Sequence, residues 1–427
     1  MKILNKLFLN KVEIILKALS ISSIIFLWSN QITIGHTRVA LIYILFLFVV
    51  IFFKTRFQDI IIFAILTILF YLFLVIQIVP FNLNLITPIK TVIYIPIVLF
   101  LLVFCFRYIT DIFRYGEEEK IFFFLRLLLK FQLSSQILEL LLFHFGIKYH
   151  ITSGMYIKDN LPRASGFFYE PSNVAFSLSP FIYILIQDYK KFIKFFKSDS
   201  IIILITIFLI SFSTTFAVVI FISFLLKIIK IYKSKNFKKI IVSIGIMIFF
   251  IYLALTNNQI SIRANQVLFR FAGTEVLSNN INASSAVFIK GFEMSKKALT
   301  SYPFGVGLDN MAFLNKFAKI NKIKKNISQF NNDNGGSIMF KIIGEYGYIG
   351  LVIVIYTFLF LIKASLKTEN INSYDIFINS QVLGLMSTFI RGPSYTVGVA
   401  IIGLSILFWT FIKYFNNNLK IVLYDKK

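Results

Sequence analysis

Five features of the chain could do chemistry. Arg163 opens the string Arg163-Ala164-Ser165-Gly166-Phe167-Phe168-Tyr169-Glu170-Pro171-Ser172-Asn173. Its guanidinium is a permanently charged fork suited to phosphate oxygens. Glu170 stands just before Pro171, where a helix begins, and a helix start favours a carboxylate. Glu170 therefore reads as a helix cap or as a reacting group. Arg263 and Arg270 follow in a long polar stretch, and Arg270-Phe271-Ala272-Gly273 echoes the Arg-x-x-Gly of Arg163–Gly166. Asp333 lies in the string Asn331-Asn332-Asp333-Asn334-Gly335-Gly336. Arg391 closes an apolar run, where it either snorkels to the interface or meets an anion.

The elements that position these residues must be membrane helices. Hydrophobic residues make up 58% of the 427, charged residues 15%, and Phe alone 52. The mean hydropathy is +0.81. Soluble domains run at about 45–50% apolar, and this composition cannot cover a soluble surface. Disordered, collagen-like and disulfide-scaffold classes are excluded as well. One cysteine, Cys105, allows no internal disulfide, and His36, His144 and His150 do not suggest a zinc site. No cofactor or metal motif is visible. The net charge of +25 would raise nucleic acid in a soluble protein. Here the lysines sit mainly in short loops between apolar runs, where they orient the chain in a bilayer.

A spanning helix needs roughly 20 apolar residues. Runs of that kind fall near 12–28, 38–53, 59–79, 91–109, 121–145, 172–187, 240–256, 336–362, 374–390 and 395–413. The stretch 200–230 is too long for one span and has a polar middle, Ser211, Ser213, Thr214 and Thr215. Lysines flank it on both sides, so it crosses an even number of times. Two short helices meeting at the Ser/Thr turn, or a re-entrant hairpin, satisfy that parity, and the turn must be covered by protein or face water. The expectation is one all-α polytopic domain over 1–427 with about 12 spans and both termini cytoplasmic. Lys2, Lys6 and Lys11 precede the first run, which reads as an uncleaved helix. Two large loops, 147–171 and 257–335, fall outside.

Within the helices, Gln132, Gln136 and Glu139 share one face of 121–145, as residues lining a bundle interior or wet cavity do. Arg126 and Lys130 lie elsewhere and are expected to snorkel. Pro303-Phe304-Gly305-Val306-Gly307-Leu308-Asp309-Asn310 reads as a tight turn. Gly344, Gly347 and Gly350, three residues apart, are expected to allow close packing against a neighbouring helix.

The Arg163–Ser172 string resembles the Arg-x-x-Gly-Phe-x-x-(Glu/Asp)-Pro element of the O-antigen polymerase and ligase superfamily. Pro303–Leu308, followed by Gly344-Glu345-Tyr346-Gly347-Tyr348-Ile349-Gly350-Leu351, is similar to its second element. The resemblance covers most of the chain in layout and a few dozen residues in motif. It implies an oligosaccharide repeat unit polymerase in the bacterial cytoplasmic membrane, acting on undecaprenyl-diphosphate-linked oligosaccharide at the external face. The product would be O-antigen or a capsule-type polysaccharide, with flippase and chain-length regulator proteins as partners and no nucleic acid. In the ligases a His-Asn pair precedes the second motif's helix. Asp333-Asn334 stands there in this chain, and the loop holds no histidine, which favours polymerase. Arg163, Arg263, Arg270 and Arg391 would hold the diphosphate, and Asp333 or Glu170 would be the base. The rival reading from another class is a lipid-linked oligosaccharide flippase, which would place its decisive charges near mid-membrane.

Overall fold

The computed structural model describes residues 33–34, 37–38, 57–79, 95–96, 98–100, 102–103, 118–146, 156–158, 161–166, 171–211, 213–233, 235, 237–256, 261–262, 265–266, 283–317, 336–366, 372–392 and 398–418. They are overwhelmingly helical. In chain order come a hairpin of β1 (Thr33–Ile34) and β2 (Thr37–Arg38), α1 (Phe57–Ile78), α2 (Glu118–His144), and a hairpin of β3 (Tyr156–Lys158) and β4 (Leu161–Arg163). Then follow α3 (Pro171–Gln187), α4 (Tyr189–Phe196), α5 (Asp199–Ile210), α6 (Thr214–Lys233), α7 (Phe237–Thr256), α8 (Ala283–Ser301), a 3₁₀ turn at Met311–Phe317, α9 (Ile338–Ser365), α10 (Ser373–Ile390) and α11 (Gly398–Asn418). The short antiparallel ladder of β3 and β4 inside the 147–171 loop qualifies the all-α expectation.

Four of these helices are long and apolar enough to cross a membrane: α1, α2, α6 and α9. Shorter apolar helices occupy Ser172–Gln187, Asp199–Ile210 and Val399–Lys413. The outer faces agree with a bilayer. On α1, Ile61, Ile65, Ile68 and Leu72 are exposed at helical spacing, and Val352, Ile355 and Leu359 do the same on α9. In water such stripes would be a liability; in lipid they are the solvent-facing surface. The protein is a helical membrane protein. The expected spans at 12–28 and 38–53 and most of 91–109 lie outside the described residues.

The bundle is built around α10, which is buried along every face from Ile376 to Phe389. It packs against α3, α11, α9 and α6. Small residues let the backbones approach: a Cβ on Gly403 would lie 2.6 Å from Leu385 Cβ, and one on Gly384 3.1 Å from Val399 Cβ. Phe176, Phe181, Phe196, Phe216 and Phe377 fill the surrounding core.

The stretch 200–230 forms two helices, on either side of Ser211 and Ser213. α5, at 12 residues, is roughly 18 Å long and cannot span alone. The loop 257–335 is not wholly irregular. α8 lies against the first turns of α9, with the Phe288 and Phe340 rings 4.8 Å apart and Ser295 Oγ donating to the Phe340 carbonyl at 3.0 Å. Met294, Ala298, Val306, Met311, Leu314 and Phe340 make a second, smaller core there.

Candidate functional site

The Arg-x-x-Gly string is drawn into the bundle. Gln132 Nε2 donates to the Ser165 carbonyl at 3.0 Å, and Gln136 Nε2 to the Ala164 carbonyl at 3.1 Å. Ser211 Oγ donates to the same Ala164 carbonyl at 2.8 Å and accepts from Gln136 Nε2. The Gly166 N–H donates to Glu139 Oε2 at 2.7 Å. Gln132 lies twelve residues, more than three turns or roughly 18 Å, from the His144 end of α2. The segment therefore re-enters the helical layer. Its backbone groups are satisfied by side chains because lipid offers none.

Three features noted separately in the sequence meet at this point: the polar face of α2, the Ser/Thr turn, and the Arg163 string. Gln132, Gln136, Ser165 and Ser211 are all fully buried. Gly166 has φ +61°, and a Cβ there would collide with Ser135 Oγ and lie 3.0 Å from Gln132 Nε2. Only glycine fits that place without strain. The amide oxygens of Gln132 and Gln136 are buried and accept no hydrogen bond from the described residues. They leave acceptors beside the re-entrant segment. Arg126 and Lys130 converge on the half-exposed Asp199 Oδ2 at 3.3 Å each, tying the start of α5 to α2.

The second glycine-rich pair also proves to be one unit. The α9 backbone breaks at Gly347, φ 59° and ψ −131°. The break frees the carbonyls of the preceding turn, and the 303–310 loop takes them up. Val306 N–H donates to the Gly344 carbonyl and Gly307 N–H to the Glu345 carbonyl, both at 3.1 Å, while Tyr348 N–H donates to the Pro303 carbonyl at 2.9 Å. Gln77, at the end of α1, donates from Nε2 to the Glu345 carbonyl at 2.7 Å and also to the Phe304 carbonyl. The glycines at spacing three thus serve a helix break and a docked loop; a Cβ on Gly347 would overlap the Pro303 carbonyl.

Beside the break lies a buried ion triad. Lys341 Nζ is 3.1 Å from Asp309 Oδ1 and 3.4 Å from Glu345 Oε1. Lys341 and Glu345 are 3% and 0% exposed, so neither charge is sustained by water. The triad escaped notice in the sequence, although a Lys and a Glu four apart in an apolar helix is a visible signal. Gln77 gave no such signal.

Arg391 is half-buried and caps the end of α10 in extended backbone. Its neighbourhood is the start of α9: Ser337 Oγ donates to the Phe389 carbonyl, and a Cβ on Gly392 would lie 3.2 Å from Ile338 Cδ1. Arg163 ends β4, its backbone paired with Tyr156; its side chain, like Glu170, Arg263, Arg270 and Asp333, lies outside the described residues. Of the six candidates, the structure thus locates the backbone of Arg163 and the whole of Arg391. Among the described residues no three His, Cys, Asp or Glu side chains gather as metal ligands would.

Compared with protein-family models, curated proteins and solved structures, the chain matches none.

Proposed function

We propose that the protein is a membrane glycosyltransferase that joins undecaprenyl-diphosphate-linked oligosaccharide repeat units into a surface polysaccharide. The observation that carries the reading is the re-entrant Arg163–Gly166 segment, clamped by Gln132, Gln136, Glu139 and Ser211. The motif that resembles the polymerase element is thereby tied into the helical layer rather than left as a surface lid.

The chemistry follows from the donor. A sugar on a lipid diphosphate already carries a good leaving group. The enzyme needs fixed positive charge where the diphosphate gains charge, and a base for the acceptor hydroxyl. Arg163, Arg263, Arg270 and Arg391 supply the first; Asp333 or Glu170 supplies the second, worth about 10²–10⁴ in rate. Buried amide oxygens at Gln132 and Gln136 would accept from donors near the segment.

One observation favours a second reading. Helices broken at glycine inside an apolar run are a hallmark of transporters, so a lipid-linked oligosaccharide flippase is the alternative. The surface polysaccharide of cells lacking the gene separates the two. A ladder collapsed to core plus one repeat unit supports the polymerase. Repeat units trapped on the cytoplasmic face mean flippase. Polymer retained on the carrier lipid and absent from core means ligase. Normal polymer length with Arg163→Glu, expressed at wild-type level, would remove Arg163 from the site.

A further inference from the structure

At the opposite end of α3 from the Arg163 string, three lysines gather around one carboxylate. Gln187, the last residue of α3, donates from Nε2 to the Ser223 carbonyl on α6 at 2.8 Å. That bond fixes which face of α6 meets the α3–α4 corner. Lys227 and Lys230 follow Ser223 at four and seven residues, so they continue the same face. Asp188 sits at the corner. Its Oδ1 caps α4 by accepting from the Lys191 N–H at 3.1 Å, and its Oδ2 is 3.8 Å from Lys191 Nζ. Lys227 lies within electrostatic reach of Asp188, Lys230 and Lys239; Lys230 lies within reach of Asp188 and Lys191.

The bias of short loops toward lysine explains why this end is basic. It does not explain why two half-buried lysines on one helix face share a single carboxylate with a third, Lys191. The local excess of positive charge is what an anion would neutralise. α4 supplies the complementary apolar feature: Phe192 and Phe196 are buried, while Tyr189 and Ile193, one turn apart, are exposed beside Lys190 and Lys194. An exposed apolar strip flanked by lysines is the surface of an interfacial helix.

We propose that this corner of α3, α4, α6 and α7 holds the headgroup of an anionic phospholipid, its phosphate between Lys191, Lys227 and Lys230. Basic recesses between membrane helices bind anionic headgroups by this chemistry. The site is independent of any catalytic role at the other end of the bundle.

The test uses the full chain in zwitterionic phosphatidylcholine micelles, with phosphatidylglycerol titrated in and the thermal midpoint followed. The midpoint of the wild type rises and saturates. Lys227→Gln/Lys230→Gln loses the rise, with apparent affinity falling roughly fivefold per lysine removed. Lys197→Gln/Lys413→Gln, the same loss of charge at exposed positions outside the corner, keeps it. Equal responses of the two double variants overturn the proposal. So does a rise of the same size with inorganic phosphate alone, which would mean a soluble anion. If Lys227→Gln/Lys230→Gln does not fold, native mass spectrometry of the wild type in a one-to-one mixture decides. Preferential retention of phosphatidylglycerol supports the site, and equal retention of the two lipids overturns it.

Discussion

The backbone N–H of Gly166 donates to the Glu139 carboxylate at 2.7 Å, three residues after Arg163. A membrane helix thus holds a loop from inside, through a bond between a carboxylate and a glycine that no other residue could replace without strain. Gly166→Ala places a Cβ against Ser135 Oγ in a left-handed backbone, a cost of about 1–3 kcal/mol. The expected outcome is a lower thermal midpoint in detergent together with a shorter polymer ladder in cells. A variant with both readouts unchanged would refute the re-entrant placement.

Ser211 and Gln136 act on one carbonyl, that of Ala164, and on each other. Their contributions should be coupled. Ser211→Ala and Gln136→Leu are each expected to destabilise by about 1–3 kcal/mol, as loss of a buried hydrogen-bond partner does. Combined, they should cost less than the sum by about 0.5–3 kcal/mol. Strict additivity in a double-mutant cycle of unfolding midpoints would deny the shared carbonyl.

The two glycines at 344 and 347 make opposite predictions. A Cβ on Gly344 meets Met311 and Leu314 side-chain carbons at 3.3–3.4 Å, a contact that small shifts relieve. A Cβ on Gly347 meets the Pro303 backbone. Gly344→Ala should stay within about 1 kcal/mol of wild type and Gly347→Ala should be among the severe variants. Size-exclusion profiles of fluorescently tagged variants rank them directly, and the reverse order would mean a continuous α9.

Lys341 neutralises two buried carboxylates. Lys341→Met strands both, at roughly 3–5 kcal/mol. Lys341→Met with Asp309→Asn and Glu345→Gln should recover most of that loss, because no unpaired charge remains. A triple variant no better than the single one, by thermal midpoint, would place the cost in packing and not in charge.

Burial pushes the Lys290 ammonium below the ordinary lysine range. The unfolded chain then binds more protons at that site than the folded one, so stability rises with pH from the lowered value up to the ordinary range. Lys290→Met should flatten that part of the profile. A stability profile over alkaline pH that is identical in wild type and variant would contradict it.

The positions of the apolar helices were legible in the sequence because apolar length is a strong signal. α1, α2, α3, α7, α9, α10 and α11 begin within about three residues of the runs read for them. The α5–α6 turn was legible from a different quantity, the lysines on both flanks of Ser211–Thr215. The break at Gly347 was not, because glycines three apart look the same whether a helix neighbour or a loop approaches them. α8 was missed because Lys290, Lys296 and Lys297 interrupt its apolar pattern; Gly291, Met294, Ser295 and Ala298 nevertheless mark a buried helical face. Arg163 was noticed for its charge, yet what fixes its segment are two amides and a carboxylate on α2, Gln132, Gln136 and Glu139, and a single sequence shows only that they share a face.

The Ser211 hydroxyl that closes on the Ala164 carbonyl lies 47 positions later in the chain. During synthesis the 161–166 segment emerges before its partner exists. α5, too short to be retained in the bilayer alone, must find its support on α2, against which it packs. The first half of the bundle therefore waits, with the Ala164 carbonyl only partly served, until Ser211 arrives. Deleting residues from α5 should halt assembly at that stage and send the nascent protein to membrane proteolysis, even though every residue of the re-entrant segment has already been made.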